Sequence, residues 1–206
     1  MNRDMFEAGE IAEELSGLPF VTYLDDVQLC DGLCSGSISG AVVVACPDMG
    51  ARLPFVCSAI TAPVFVIQTF GLSGIDSDFE QIIANFDFSD VIFYGHSNCK
   101  WPFSFGGLQV AEEDPLARQC SSRTGRETSS LTPARGSVLW QMKQALSWSV
   151  VNGLALRKKR FHAWFHNSSN NTLEVFDPAC GAFLSVNIGA NSDIKPQFPG
   201  EVGRFA

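Results

Sequence analysis

Three short runs of continuously apolar, largely β-branched residues constrain the fold of this chain more than any other feature. Gly40-Ala-Val-Val-Val-Ala45, Val64-Phe-Val-Ile67 and Val91-Ile-Phe-Tyr94 show no alternation of polar and apolar positions. A strand with that pattern is buried on both faces, as strands are in a parallel sheet covered by helices on each side. Between the second and third runs, Ile75, Phe79, Ile82, Ile83 and Phe86 recur at helical spacing, with Asp76 or Ser77 placed to cap the first turn. Strand, helix and strand in that order predict an α/β fold with a mainly parallel sheet flanked by helices.

Later in the chain, Val138, Leu139, Met142, Ala145 and Leu146 predict another amphipathic helix. Phe161-His-Ala-Trp-Phe165 and Thr172-Leu-Glu-Val-Phe176 then predict a terminal strand pair joined by an Asn-rich turn. Residues 1–36 form an N-terminal helical or arm segment, acidic with scattered apolar positions. Residues 100–135, rich in Gly, Pro, Ser and charge without clear period, read as a surface excursion. A length of 206 residues suits one well-buried core, so residues 1–206 are taken as a single domain.

Charge and hydropathy exclude several classes of function. A formal charge of -8 argues against a nucleic-acid partner. No apolar stretch reaches the roughly 18 to 20 residues needed to span a bilayer, so no membrane role is expected. The first residues lack the basic start and apolar core of a signal peptide, which predicts a cytoplasmic protein. In that setting the seven cysteines are candidates for metal binding or burial rather than for a disulfide framework. The triplets beginning at Asn167 and Asn170 are accordingly read as a polar turn.

In an open parallel sheet, ligands gather beyond the carboxyl ends of the strands. Cys46 stands just past one such end, and His96 and Cys99 follow another in Gly95-His-Ser-Asn-Cys99. An imidazole and a thiol three residues apart, joined by a second thiol from the neighbouring strand, can serve one tetrahedral ion. Zinc suits such mixed sulfur and nitrogen donors best. Other candidates carry less: Cys30 and Cys34 lack a further metal-binding pair nearby, Cys57, Cys120 and Cys180 have no companion motif, and His162 and His166 read as core or surface residues.

These segments resemble the β-class carbonic anhydrases, whose pattern is Cys-x-Asp-x-Arg after one strand and His-x-x-Cys after another. The matching stretches are Val44-Ala-Cys46-Pro-Asp48-Met-Gly50-Ala-Arg52 and Tyr94-Gly-His96-Ser-Asn-Cys99, and the likeness extends over most of Gly40 to Asp177. The resemblance implies a zinc lyase that reversibly hydrates carbon dioxide to bicarbonate, with Cys46, His96 and Cys99 on the metal and a homodimer or dimer-based oligomer. It also implies that Asp48 accepts a hydrogen bond from the attacking water while an Arg restrains Asp48 from the metal.

Here the sequence departs from the pattern, because Gly50 occupies the place of that Arg and Arg52 stands two residues further on. Either Arg52 loops back to Asp48, or the Arg is replaced and Asp48 can itself become a fourth ligand. Gln68-Thr69 and Lys100-Trp101 also differ from the Arg-Asn and Gly pairs common in relatives. The departures leave three readings open: a carbonic anhydrase, a non-hydrating zinc homologue that binds an anion or a protein, and a hydrolase of another small linear substrate.

Overall fold

The computed structural model describes residues 8–46, 62–68, 85–97, 99, 128–129, 132–147, 153 and 158–186. Its helices are α1 (Ala8–Ser16), α2 (Asp26–Ser35) and α3 (Pro133–Ser147). Its strands are β1 (Ala41–Ala45), β2 (Val64–Gln68), β3 (Asp90–His96), β4 (Thr128–Ser129), β5 (Arg160–Asn167), β6 (Thr172–Asp177) and β7 (Ala182–Val186). All seven strands join one sheet in the order β2-β1-β3-β5-β6-β7-β4. The first four in that order run parallel, and from β5 onward each pair is antiparallel. The α/β architecture expected from the sequence is therefore present.

The three apolar runs are β1, β2 and the heart of β3. Strand β1 and the heart of β3 can be apolar on every residue because both faces of these central strands are covered. Strand β2, also expected to be buried on both faces, ends the described sheet, with Val64 and Phe65 half-buried, Val66 42 % exposed and Ile67 buried. Val42, Val44, Val91, Phe93, Phe161 and Phe165 face one side, against Ile11 and Leu15 of α1 and Leu139 and Met142 of α3. Val43, Ala45, Ile92, Tyr94 and Trp164 face the other, against Leu29 and Leu33 of α2. Burying a side chain of this size contributes about 1.5 to 3 kcal/mol.

Helix α2 begins at a capping box. The Asp25 carboxylate accepts from the Gln28 amide at 2.8 Å, and the Gln28 side chain accepts from the Asp25 amide at 3.1 Å. It ends at Gly36, whose φ of 75° is the left-handed conformation that glycine adopts without a Cβ clash.

Before that cap, the segment at residues 20–24 fills a gap in the sheet. Strand β6 pairs only with Trp164 to Asn167, which leaves the amino-terminal half of β5 with an open edge. There the Phe161 amide donates to the Phe20 carbonyl at 2.9 Å, and the Thr22 amide donates to the Phe161 carbonyl at 3.0 Å. The Trp164 indole adds a hydrogen bond to the Leu24 carbonyl at 2.7 Å. Backbone groups that would otherwise be buried without partners are thus satisfied by a distant part of the chain.

The same end of the sheet holds a buried charge network. Register places Asp90, the first residue of β3, beside Arg160, the first of β5. Both Asp90 oxygens accept from the Arg160 guanidinium at 2.8 Å, and Ser89 donates to Oδ2 at 2.6 Å. His162 Nε2 lies 2.7 Å from Asp90 Oδ1, and its Nδ1 lies 2.8 Å from the Thr22 carbonyl. Asp90 is 0 % exposed and His162 1 %. Burial alone would push the Asp90 carboxyl up, but hydrogen bonds from His162, Arg160 and Ser89 prevail and lower it to about 2. His162 is a core residue, as expected of it.

Three elements differ from the sequence reading. Strand β7 follows the terminal pair and extends the antiparallel half of the sheet. Inside the stretch taken as a surface excursion, β4 pairs with β7 through Thr128 and Ser129. Helix α3 begins at Pro133 rather than Val138; a proline in the first turn lacks only an amide hydrogen that has no helical partner there. Cys180, read as lacking a companion, is disulfide-bonded. Most of the helix expected from Ile75 to Phe86 lies outside the described residues. Only its end is described, with Asn85 helical and Phe86 just beyond it, exposed and with its ring centroid 4.3 Å from that of Phe65.

Candidate metal centre

Strands β1 and β3 are adjacent and parallel, with Ala45 in register with Tyr94. Their carboxyl ends therefore leave the sheet side by side, Cys46 following one and His96 closing the other. A tight turn at Ser97 brings Cys99 back toward both. One donor atom from each of Cys46, His96 and Cys99 falls within 4.8 Å of the other two, and the two sulfurs lie 3.3 Å apart. Cys46 is buried, whereas His96 and Cys99 are partly exposed, so the group has a sealed side and an open side.

Two packing features hold the β3 end in place. A Cβ at Gly95 would run into the Val138 side chain, so glycine before His96 lets α3 lie directly against the strand. Close by, Arg135 of α3 pairs with Glu174 of β6 through two hydrogen bonds, at 2.5 and 2.8 Å. Its guanidinium also lies over the Phe165 ring, 4.8 Å from the centroid. Glu174 is 1 % exposed, and such an acid requires a fixed counter-ion.

The face toward α2 has a different electrostatic character. Tyr94 packs edge-on against Trp164 with ring centroids 6.1 Å apart. Burial, with Asp26 nearby, raises the Tyr94 phenol above its ordinary range. Asp26 is 7 % exposed, and its Oδ1 has no hydrogen-bond partner among the described residues. Burial and, after it, the neighbouring Asp25 carboxylate raise the Asp26 carboxyl.

Because the folded value lies above the unfolded one, ionising Asp26 costs the fold stability. That cost is absent below the unfolded value of about 3.9 and grows as pH rises through the folded value. An Asp26→Asn protein keeps the shape without the charge. It is expected to need more urea for half-unfolding than the parent at neutral pH, with the difference closing near pH 3. Equal midpoints at neutral pH would refute this.

The fit of the donor set to a metal can be judged from its chemistry. Zn–S bonds of about 2.3 Å and Zn–N bonds of about 2.0 Å put tetrahedral donors roughly 3.5 to 3.8 Å apart. The two sulfurs, now 3.3 Å apart, must separate to about 3.8 Å to meet that geometry. Two thiolates and an imidazole suit zinc, and they leave a fourth position for water or a carboxylate. The remaining residues named from the sequence, Asp48 and Arg52, lie outside the described residues, as does Gly50. His166 sits beside His96 in register and meets Asn171 Oδ1 at 3.1 Å on the surface. Among the described residues, no other group of three or more potential ligands comes together.

Several known structures align with this chain. The β-carbonic anhydrase CcaA aligns over 78% of this chain and 90% of its own, with 13% sequence identity and a TM-score of 0.51. A mutant of the β-carbonic anhydrase CafD of the filamentous fungus Aspergillus fumigatus aligns over 81% and 98%, with 13% identity and a TM-score of 0.45. A carbonic anhydrase from Streptococcus mutans aligns over 68% and 81%, with 9% identity and a TM-score of 0.40. No family model matches the chain, and neither does any curated protein. The first likeness establishes a β-carbonic-anhydrase-like fold and nothing finer.

Proposed function

We propose that the chain is a zinc-dependent lyase of the carbonic anhydrase type, which interconverts carbon dioxide and bicarbonate. The observation that carries this reading is the convergence of Cys46, His96 and Cys99 at two adjacent parallel strand ends. Cys46 and Cys99 would hold the ion as thiolates, and neutral His96 would complete the protein ligands. When bound, zinc supplies the Lewis acidity that makes a water nucleophilic near neutral pH. Ala45, Ile92, Tyr94 and Trp164 exclude bulk water from the Cys46 side of the centre. Asp48 is assigned the acceptor that orients the attacking water, and Arg52 its partner. We read residues 1–206 as one domain that works as a cytoplasmic homodimer on a small-molecule substrate. No helix among the described residues is long and apolar enough to cross a membrane.

Stopped-flow hydration of carbon dioxide by zinc-verified protein, from roughly pH 6 to 9, tests the activity. A rate above buffer that disappears when the metal is removed supports it. Zinc-loaded protein with no such rate at any pH overturns it.

Gly50 favours a second reading, in which Asp48, without a restraining Arg, takes the fourth position on zinc and hydration is slow or absent. The alternative then is an anion- or protein-binding homologue, or a hydrolase of another small linear molecule. A Gly50→Arg protein separates the two readings. It gains hydration activity if Asp48 closes the metal, and gains none if Arg52 already restrains Asp48.

A further inference from the structure

We infer that Ser97 is a positioning residue for the metal centre, holding the turn between His96 and Cys99 in shape by fastening it to the β5–β6 connection. The inference rests on the zinc reading given above and concerns a residue outside the ligand set.

Three hydrogen bonds join Ser97 to the end of β5 and to that connection. Its amide donates to the His166 carbonyl at 3.0 Å. Its hydroxyl oxygen accepts from the Ser168 amide at 3.0 Å and shares a further hydrogen bond with the Ser168 hydroxyl at 2.9 Å. No regular strand pairing reaches past His96 and His166, so these contacts extend the β3–β5 ladder by one step into the loop.

The support on the other side is stiff. Within the connection the Ser169 amide donates to the Asn167 side chain at 3.1 Å, and the Thr172 hydroxyl donates to the Asn170 side chain at 2.7 Å. Asn171 takes a φ of 54°, a conformation that asparagine tolerates better than most residues. A turn fixed by its own side chains can fix its neighbour.

The position of Ser97 gives these contacts their consequence. It is the first residue after one ligand and lies two before another, so its backbone direction decides where the Cys99 sulfur falls. A metal site needs its donors placed to within a few tenths of an ångström, and residues that support ligands typically contribute about 10- to 100-fold in affinity. An alanine at position 97 keeps the backbone bond to His166 but loses both hydroxyl contacts. The loop then has fewer restraints, and binding must order it.

Zinc affinity measured by chelator competition, with the visible absorption of the cobalt-substituted protein and the melting temperature of the metal-free protein, tests the assignment. Ser97→Ala is expected to bind zinc about 10-fold more weakly, with weakened cobalt bands and an unchanged metal-free melting temperature. Ser97→Thr, which retains the hydroxyl, should restore affinity to within about twofold of the parent. Ser168→Ala removes only the shared hydroxyl bond and should show a smaller loss, which keeps the test decisive if Ser97→Ala fails to fold. Parent-like zinc affinity in Ser97→Ala, or a loss that merely follows a lower metal-free melting temperature, overturns the positioning role alone. Failure of the parent protein to bind zinc overturns the zinc reading together with it.

Discussion

Replacing Cys46 with serine is expected to strip the protein of metal. A serine hydroxyl stays protonated near neutral pH and offers a harder, shorter-reaching donor than a thiolate, so only His96 and Cys99 remain to hold the ion. Loss of a supporting residue around a zinc site costs about 10- to 100-fold in affinity, and loss of a ligand must exceed that, at more than about 100-fold. After dialysis against a competing chelator, elemental analysis should find close to one zinc per parent chain and almost none in Cys46→Ser. Equal zinc in the two proteins would remove Cys46 from the ligand set.

The second large effect lies at the opposite end of the same strands. Asp90→Ala removes the acceptor shared by His162, Arg160 and Ser89, and leaves the His162 ring 1 % exposed beside an empty site. Breaking a buried pair by removing one partner costs about 3 to 5 kcal/mol. Arg160 is partly exposed and can turn to water, so His162 carries most of that loss. For a chain of this size each kcal/mol lowers the melting temperature by roughly 2 to 4 °C, which gives a drop of roughly 6 to 20 °C.

The effect has a definite pH dependence. Asp90 is held at about 2, below an unfolded value of about 3.9. Its contribution is complete above the unfolded value and disappears as pH falls toward the folded one. Parent and variant should therefore differ most at neutral pH and converge as pH approaches 2. Melting curves that stay parallel down to that pH would show that the carboxylate is not the source.

Much of this architecture is legible in the sequence because its strongest signals are local. Runs such as Ala41 to Ala45 need no partner to announce a strand buried on both faces, and Cys46, His96 and Cys99 declare their chemistry by residue type and by their place after those runs. Strand β4 is two residues long and carries no pattern of its own. Strand β7 follows a turn at Gly181, and its Ser185 interrupts an otherwise apolar stretch. The buried networks escape for another reason: Asp90 and Arg160 meet only through the β3–β5 register, and Arg135 meets Glu174 only once α3 packs over β3 and β5. A signal was nonetheless present in Glu174, an acid set among Leu173, Val175 and Phe176, where a buried face demands a cation. Asp48 and Arg52 lie on a segment whose placement no periodicity fixes.

The open edge of β5 also has a consequence for synthesis on the ribosome. Thr22 waits for His162, which lies 140 residues further along the chain. At about 5 to 20 residues per second, the interval is roughly 7 to 28 s. Throughout that time the Phe20 carbonyl, the Thr22 amide and the Leu24 carbonyl wait for their partners on β5, and helix α2 can dock only on β1 and then β3. The nascent chain therefore carries an unpaired segment beside a partly covered α2 until β5 emerges, and the interval is the one in which a chaperone would act on it.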